Sequence, residues 1–280
     1  MANIHWFPGH MNKALHNVED KIKLVDVVIE LLDARAPESS INENLEKVIK
    51  NKQKLVILTK PDLADPTITN KWAESLKTRF DEVLVLDLTE KSSEIQISNA
   101  ISRLGTKKWE KEKAKGMKPQ PIRTMIVGIP NVGKSSLINR LAKRKAAGVQ
   151  NKPGYTRGEQ WIKVNNNFLL LDTPGILPMS YENQQKAANL ALIGSIREDI
   201  LPNTELVNIL LSFLKEHYPN ALENRFNIKE IGDYENIMKS ICSVRGLKDS
   251  RGNDDYLRAE ILLLKEFKDG LLGRISLEII

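Results

Sequence analysis

A glycine-rich turn in the middle of the chain has the residue types needed to hold phosphate groups. Gly128–Ser135 (GIPNVGKS) follows an aliphatic run and precedes a stretch with helical spacing. Glycines let the backbone wrap around an anion with N–H groups pointing inwards, and the dipole of the following helix adds positive potential. Lys134 can reach the β- and γ-phosphates as the expected catalytic cation, and the Ser135 hydroxyl can ligate Mg²⁺. The residues assigned to this triphosphate site are Asn131, Val132, Gly133, Lys134, Ser135 and Ser136.

Further residues downstream can complete the phosphate and magnesium site. Asp172 ends an aliphatic run and suits a water-mediated contact with Mg²⁺, while the N–H of Gly175 can face a γ-phosphate. Thr156 lies between them and the phosphate loop, in a glycine-containing stretch. Its hydroxyl could close over Mg²⁺ in the triphosphate state and release after hydrolysis, as a catalytic switch residue; the alternative is an ordinary surface loop. The expected magnesium ligands are Ser135, Thr156 and Asp172.

A short motif far upstream has the chemistry to read a guanine base. Thr59–Asp62 (TKPD) directly follows the aliphatic run Leu55–Leu58. The Asp62 carboxylate can accept hydrogen bonds from N1 and N2 of guanine together, and a site of this kind discriminates against adenine by about 10⁴-fold. Lys60 would lie along the face of the base, and Pro61 completes the turn. The usual first residue is Asn; Thr59 is expected to lose an amide that ties this loop to the phosphate loop.

The order of these motifs is permuted relative to most GTPases, in which the base-reading motif comes last. Here the base-reading motif comes first, followed by Leu86–Thr89, which occupies the place of a second, weaker base-contacting motif. The phosphate loop, the switch threonine and the Asp-x-x-Gly motif follow. Ile176 stands after Gly175, where many GTPases have a glutamine, and isoleucine cannot hydrogen-bond a water. We therefore expect slow GTP hydrolysis by the chain alone.

The hydrophobic pattern predicts an α/β protein with a doubly wound, mostly parallel sheet. Short aliphatic runs at Val25–Leu32, Leu55–Leu58 and Val83–Leu86 alternate with stretches of helical spacing. Two runs flank Asn165–Asn167, which indicates a hairpin. We interpret residues 105–121 as a helix end followed by a basic connector.

Two domains are expected. After about residue 181 only helical spacing remains, so we assign residues 1–180 to a GTPase domain and residues 181–280 to a small all-α domain.

The composition of the chain bears on its expected cellular location and partners. It has a single cysteine, Cys242, no apolar run long enough for a membrane helix, and neither a signal pattern nor a prenylation box. We expect a cytoplasmic monomer without a membrane partner. Residues 1–184 carry 29 basic and 21 acidic residues, whereas residues 185–280 carry 13 and 15. The surplus is concentrated in Arg103–Arg123 and Arg140–Lys163, which suits either a polyanionic partner or a solubilising face.

The motif order and several segments resemble the YlqF-type ribosome biogenesis GTPase A family of bacteria, a family of circularly permuted P-loop GTPases. The resemblance covers nearly the whole chain. It is carried by Trp6–Met11 (WFPGHM), Leu32–Pro37 (LDARAP), Gly128–Ser136, Pro153-Gly154, Gln160-Trp161 and Asp172–Gly175. The sequence departs from the family pattern at Arg157-Gly158, where relatives usually carry small hydroxyl residues.

The resemblance implies a role in late maturation of the large ribosomal subunit, with GTP hydrolysis stimulated by that subunit. It also implies that Asn131 coordinates a potassium ion and that His10 is the catalytic group that positions water. It further implies that the all-α part of the chain, residues 181–280 (the helical region), contacts ribosomal RNA. An imidazole suits that task near neutral pH, but His10 could equally cap a loop or contact RNA.

Two other classes remain open at this stage. One is a P-loop ATPase in which Thr59–Asp62 is an incidental turn. The other is a GTPase that regulates a protein partner or acts at a membrane without binding RNA.

Overall fold

Six strands form the central sheet within the residues that the computed structural model describes, namely 9–143, 161–171, 183–196 and 201–280; only the backbone is described for residues 9–14 and 143. The strands are β1 (Val27–Asp33), β2 (Gln53–Thr59), β3 (Glu82–Leu86), β4 (Ile122–Gly128), β5 (Trp161–Lys163) and β6 (Phe168–Leu171). The helices are α1 (Gly9–Ile22), α2 (Pro37–Ser40), α3 (Glu43–Ile49), α4 (Pro66–Leu76), α5 (Ser92–Ala114), α6 (Lys134–Lys143), α7 (Gln184–Leu192), α8 (Asn203–His217), α9 (Glu223–Phe226), α10 (Tyr234–Arg245) and α11 (Tyr256–Lys268).

The strand order is β3-β2-β1-β4-β6-β5, and all neighbouring strands are parallel except β5 and β6. The chain builds outwards from β1 to β3, then crosses back to place β4 on the other side of β1. Loops after β1, β2 and β4 therefore meet at one edge of the sheet, where open α/β sheets bind ligands. The predicted doubly wound, mostly parallel architecture is confirmed.

Helices cover both faces of the sheet. Successive side chains of a strand point to opposite faces, so neighbouring residues of β1 pack against different helices. Ile29 and Leu31 of β1 belong to a core that includes α5, whereas Val28 packs with α1 and α3. Leu32 packs with residues of α4. All four side chains are fully buried, which explains why β1 is aliphatic on both faces, with Glu30 as the one interruption between Val27 and Leu32, rather than alternating.

The β5–β6 hairpin closes through its asparagine turn, as predicted. The Asn165 Oδ1 accepts hydrogen bonds from the backbone N–H groups of Asn167 (2.7 Å) and Phe168 (3.1 Å). This local bonding fixes the reversal between the two antiparallel strands.

The prediction of a break at residues 105–121 was wrong for its first ten residues, because α5 continues without interruption to Ala114. Gly105 does not end the helix; it lets the helix approach the sheet. A Cβ at Gly105 would lie 2.4 Å from Cδ1 of Ile122, so a larger residue there would force the Ile122 side chain to move from the contact between α5 and the start of β4. The lysine-rich turns of α5 extend beyond this contact.

The described helices α7–α11 share one continuous core with the α5 side of the sheet. Buried Leu190, Leu210 and Leu263 belong to the same cluster of packed side chains as Ile29 and Ile126. Because this core includes residues from both sides of residue 180, it does not separate the chain into two domains there. The division into domains 1–180 and 181–280 stays a prediction. Across the described ranges, none of the helices has the length and apolar character needed to cross a membrane.

Glu30 is a fully buried acid in the middle of β1, and neither carboxyl oxygen has a hydrogen-bond partner among the described residues. Burial first, and then the charge of Glu46, raise the pKa of Glu30 well above its usual value. An acid whose pKa is higher in the folded than in the unfolded state lowers stability as pH rises past the unfolded value. Glu30 therefore destabilises the fold most at neutral and alkaline pH.

We expect Glu30→Leu to raise the free energy of unfolding by about 2 kcal/mol near pH 8 and by much less near pH 5. Urea unfolding at the two pH values measures the difference. Glu43→Leu, on the exposed side of α3, is the control and should change stability by less than about 0.5 kcal/mol. Destabilisation by Glu30→Leu near pH 8 would contradict this account of Glu30.

Candidate nucleotide site

The phosphate loop and the base-reading loop meet at the carboxyl edge of the sheet, on either side of the end of β1. In the strand register Asp33 of β1 lies opposite Thr59 of β2, and Leu31 lies opposite Gly128 of β4. Parallel pairing thus brings two motifs that are about seventy residues apart in sequence to adjacent positions.

The phosphate loop turns tightly against β1 before α6 begins at Lys134. Gly128 has a φ of 145°, and a Cβ there would lie 2.7 Å from the backbone oxygen of Leu31. No other residue fits this position. The turn directs the first N–H groups of α6 towards the same edge, which is the arrangement that binds phosphate.

Lys134 is buried inside this loop and is held by it. Its Nζ donates hydrogen bonds to the backbone oxygens of Ile129 (2.6 Å) and Gly128 (3.1 Å). Burial lowers the pKa of Lys134 to about 8. A phosphate bound beside the ammonium would stabilise the charged form, so above about pH 8 the binding of nucleotide should be accompanied by proton uptake at Lys134.

Thr59 ties the base-reading loop directly to the phosphate loop, which corrects the expectation that its replacement of asparagine loses this tie. The Thr59 hydroxyl lies 2.8 Å from the backbone oxygen of Val132 and 3.1 Å from that of Leu32. Its single proton can serve one acceptor at a time, and the shorter distance favours Val132. A hydroxyl thus provides the contact that an amide provides elsewhere.

Lys60 is oriented by a buried carboxylate at the end of β1. Its backbone adopts a φ of 54°, and its Nζ lies 2.9 Å from Oδ2 of Asp33. Burial alone would raise the pKa of Asp33, but hydrogen bonds and charge from Arg35, together with Lys60, outweigh it and hold that pKa below its usual value. Asp33 is therefore ionised and fixes Lys60 at the site edge.

Arg35 is a buried residue at this edge whose role the sequence did not reveal beyond a family motif. Its Nε and Nη2 bind the Asp33 carboxylate at 2.9 and 2.8 Å. Its remaining hydrogen bonds reach the backbone oxygens of Lys268 (3.1 Å) and Ile193 (3.3 Å), both in the helical region. The sequence shows an aspartate and an arginine two residues apart at the end of a predicted strand, which is the signal that could have indicated their ion pair. It does not show which distant residues the arginine binds.

Asp62 is exposed and, among described residues, makes no hydrogen bond through its carboxylate. Asp62 lies in an exposed turn formed with Pro61 and Leu63, so both of its carboxylate oxygens are available to accept hydrogen bonds from a ligand. This is the state expected of a residue whose partner is the base itself.

Asn131 joins the phosphate loop to the helical region. It adopts a φ of 58°, and its Nδ2 donates a 2.7 Å hydrogen bond to the backbone oxygen of Gly194. Because the amide nitrogen is engaged, the side-chain oxygen remains as an acceptor for a cation or nucleotide group. Ser135 and Ser136 are exposed in the first turn of α6, next to Lys134.

Several predicted site residues cannot be compared with the structure. Thr156, Asp172 and Gly175 lie outside the described residues, as does Ile176. His10 lies in the first turn of α1, where only the backbone is described.

The sheet order and the two loops define a circularly permuted P-loop GTPase. A family model described as "50S ribosome-binding GTPase" matches residues 123–238. A protein of Priestia megaterium named "Ribosome biogenesis GTPase A" is 42% identical over 277 residues, covering 98% of this chain and 96% of its own length. A protein of the same name from Thermotoga maritima is 30% identical, with coverage of 98% and 93%.

Solved structures agree with these sequence relatives. "Crystal structure of GNP-bound YlqF from T. maritima" matches with a TM-score of 0.65 and 26% identity, covering 95% of this chain and 98% of the other. A GDP-bound structure of TM YlqF matches with a TM-score of 0.64 and 26% identity, covering 94% of this chain and 98% of the other. The chain belongs to the ribosome biogenesis GTPase A family, and it is a GTP-hydrolysing enzyme rather than an ATPase.

Proposed function

We propose that the chain is an assembly factor for late maturation of the large ribosomal subunit, which binds ribosomal RNA and is switched or released by GTP hydrolysis. The observation that carries the RNA contact is the end of α5. Five exposed lysines there lack an acidic partner within the described part of the chain: Lys107, Lys111, Lys113, Lys115 and Lys118. A family of ribosome assembly factors and an unpaired basic surface together favour an RNA partner.

The geometry of α5 gathers part of this charge into a stripe. Lys107, Lys111 and Lys115 follow each other at four-residue spacing, so they lie on one side of the helix, one turn apart. Lys108, which borders the stripe, is neutralised by Asp26 at 2.7 Å. The stripe therefore presents at least three charges that a phosphate backbone can pair with.

The residues of the nucleotide site divide the work of GTP hydrolysis. Asp62 reads the base, Lys60 lies along it, and Lys134 holds the β- and γ-phosphates. Mg²⁺ fits the site because the exposed Ser135 hydroxyl beside Lys134 is a hard oxygen donor, with Thr156 and Asp172 as the further proposed ligands. When bound, Mg²⁺ neutralises charge that develops on the phosphates.

Two further roles concern the rate of the reaction. The free side-chain oxygen of Asn131 suits a potassium ion next to the phosphates. Ile176 cannot orient water, so we propose that His10 does so and that the ribosomal subunit raises the low rate of the chain alone. Gly175 contacts the γ-phosphate in the same proposal.

Salt-dependent co-sedimentation with isolated large ribosomal subunits, in the presence of a non-hydrolysable GTP analogue, tests the RNA contact. The triple variant Lys107→Gln, Lys111→Gln, Lys115→Gln should lower the slope of log affinity against log salt by about two units, because three phosphate contacts are lost. The nucleotide affinity of the same variant should remain unchanged, since the stripe lies away from the phosphate loop.

The matched control removes three exposed lysines from the helical region, as Lys229→Gln, Lys239→Gln, Lys265→Gln. If this variant lowers the slope and the α5 variant does not, the RNA contact lies in the helical region, as the family resemblance implies. Subunit binding that depends on neither set and hardly on salt would overturn the RNA proposal. That result would favour the alternative, a GTPase that regulates a protein partner without RNA.

We further propose that the protein acts in the cytoplasm as a monomer with GTP and GDP as its small-molecule partners and without a membrane partner. This follows from the assignment to ribosome assembly and from the composition of the chain. In the same proposal, residues 1–180 bind and hydrolyse nucleotide, and residues 181–280 form a helical domain that responds to the subunit.

A further inference from the structure

A segment after α11 runs alongside the base-reading loop and binds its backbone. The Arg274 side chain donates a 2.7 Å hydrogen bond from Nη2 to the backbone oxygen of Pro61 and a 2.9 Å hydrogen bond from Nε to that of Ala64. These two carbonyls lie on either side of Asp62 in sequence. One guanidinium thus spans the turn that presents the proposed guanine-reading carboxylate.

Two neighbouring contacts strengthen the same association. The backbone N–H of Ile275 donates to the backbone oxygen of Leu63 at 3.0 Å. The backbone N–H of Asp65 donates to the Ser276 hydroxyl at 3.1 Å. From Pro61 to Asp65, every residue except Asp62 therefore has a backbone group held by residues 274–276.

Holding this turn matters because Lys60 just before it has a left-handed backbone conformation, which is unfavourable for a lysine. The loop needs outside contacts to keep that conformation. A loop that is already fixed in its binding conformation loses less entropy when ligand binds, so it binds more tightly.

The same segment is anchored in the helical region. Ile275 and Leu277 are buried in its core, and the backbone N–H of Ser276 donates a 3.2 Å hydrogen bond to the hydroxyl of Tyr218. The backbone N–H of Leu277 donates to the backbone oxygen of Arg35 at 2.7 Å. A shift of the helical region would therefore move the contacts that hold the base-reading loop.

We propose that residues 274–276 are part of the guanine site and that Arg274 is its positioning residue. The proposal rests on the base-reading role of Asp62. It makes guanine affinity depend on the docking of the helical region, while the phosphate loop keeps its own affinity for phosphate groups. A partner that displaced this segment would loosen the base half of the site first.

The test compares GDP with inorganic tripolyphosphate, which occupies only the phosphate half of the site. In full-length protein, Arg274→Ala should weaken GDP binding about tenfold, mainly through faster dissociation, and leave the affinity for tripolyphosphate within twofold. Arg274→Lys, which can restore one of the two hydrogen bonds, should recover part of the loss. Arg274 is exposed, so the substitution leaves the core intact.

Arg225→Ala is the matched control, because Arg225 also makes two hydrogen bonds, to Glu266 at 2.7 and 2.9 Å, within the helical region. It should leave GDP affinity unchanged even if it lowers the melting temperature. GDP affinity that stays within twofold in Arg274→Ala, or that falls together with tripolyphosphate affinity, would overturn the positioning role. Asp62→Asn is measured in parallel to test the base assignment itself. If Asp62 does not read the base, Asp62→Asn will keep the preference for GDP. If Asp62 reads the base but Arg274 does not position it, Asp62→Asn will change that preference while Arg274→Ala leaves GDP affinity unchanged.

Discussion

Asp62→Asn is expected to convert the protein from a guanine- to a xanthine-nucleotide binder. The carboxylate accepts from N1 and N2 of guanine, whereas an asparagine offers a donor where guanine also has donors and where xanthine has an oxygen. Leaving these groups unmatched in the nucleotide complex should weaken GDP binding by about 10³- to 10⁴-fold and improve XDP binding relative to GDP. Competition between fluorescent GDP and XDP at equilibrium measures the change.

Asp65→Asn is the control for this substitution. Asp65 lies three residues further along the same loop, and its side chain caps α4 by accepting from the N–H groups of Thr67 and Ile68. Asparagine caps helices as well as aspartate does, so nucleotide selectivity should not change. If Asp62→Asn retained its preference for GDP, the base-reading role of Asp62 would be wrong.

Lys134→Met is expected to lower kcat/KM for GTP by about 10³-fold, because it removes the charge that stabilises the phosphates during transfer. The wild type should show a related pH dependence. Below about pH 8 the lysine of the free site is already charged and affinity should be flat. Above that value each pH unit should weaken GTP binding up to tenfold, since a proton must be taken up on binding.

Lys134→Arg separates charge from geometry. Arginine stays protonated throughout this range, so the fall in affinity that begins near pH 8 should disappear even if affinity is lower; only the loss of the guanine N1 proton at higher pH then weakens binding. The free energy of unfolding of the nucleotide-free protein should follow the opposite trend and rise with pH. The pKa of Lys134 is lower in the folded than in the unfolded protein, because burial disfavours the ammonium. The destabilising effect of this buried charge therefore disappears as pH rises above about 8. GTP affinity that is flat up to pH 10 would contradict the placement of Lys134 at the phosphates.

The sheet could be predicted from sequence because its strands are buried on both faces. β1 and β2 read as aliphatic runs for this reason, and the phosphate loop fell where a strand gave way to a helix. The end of α5 could not be predicted in the same way. Gly105 and the lysines after it have the composition of a connector. The tertiary contacts of the segment, namely Gly105 against Ile122, Trp109 with the Gln120 carbonyl and Lys108 with Asp26, hold the helix beyond Gly105 and are not visible in the local sequence.

The two loops of the site could be predicted because each is a local motif with a defined chemistry. The contacts that hold them could not, because they join residues far apart in sequence. Arg274 binds Pro61 across 213 residues, and Asn131 binds Gly194 across 63. No local spacing indicates such pairs. The expectation that Thr59 loses its tie to the phosphate loop was wrong for the same reason, since its partner, the Val132 carbonyl, lies 73 residues further along the chain.

A crystal structure of the protein with GDP and Mg²⁺ tests most directly whether both loops enclose one guanine nucleotide. The Asp62 carboxylate should lie within about 3 Å of N1 and N2 of the base, and Nζ of Lys134 should have moved from the loop carbonyls to the β-phosphate of the same molecule. A GDP whose phosphates lie at Lys134 while its base lies away from Asp62 would contradict the account.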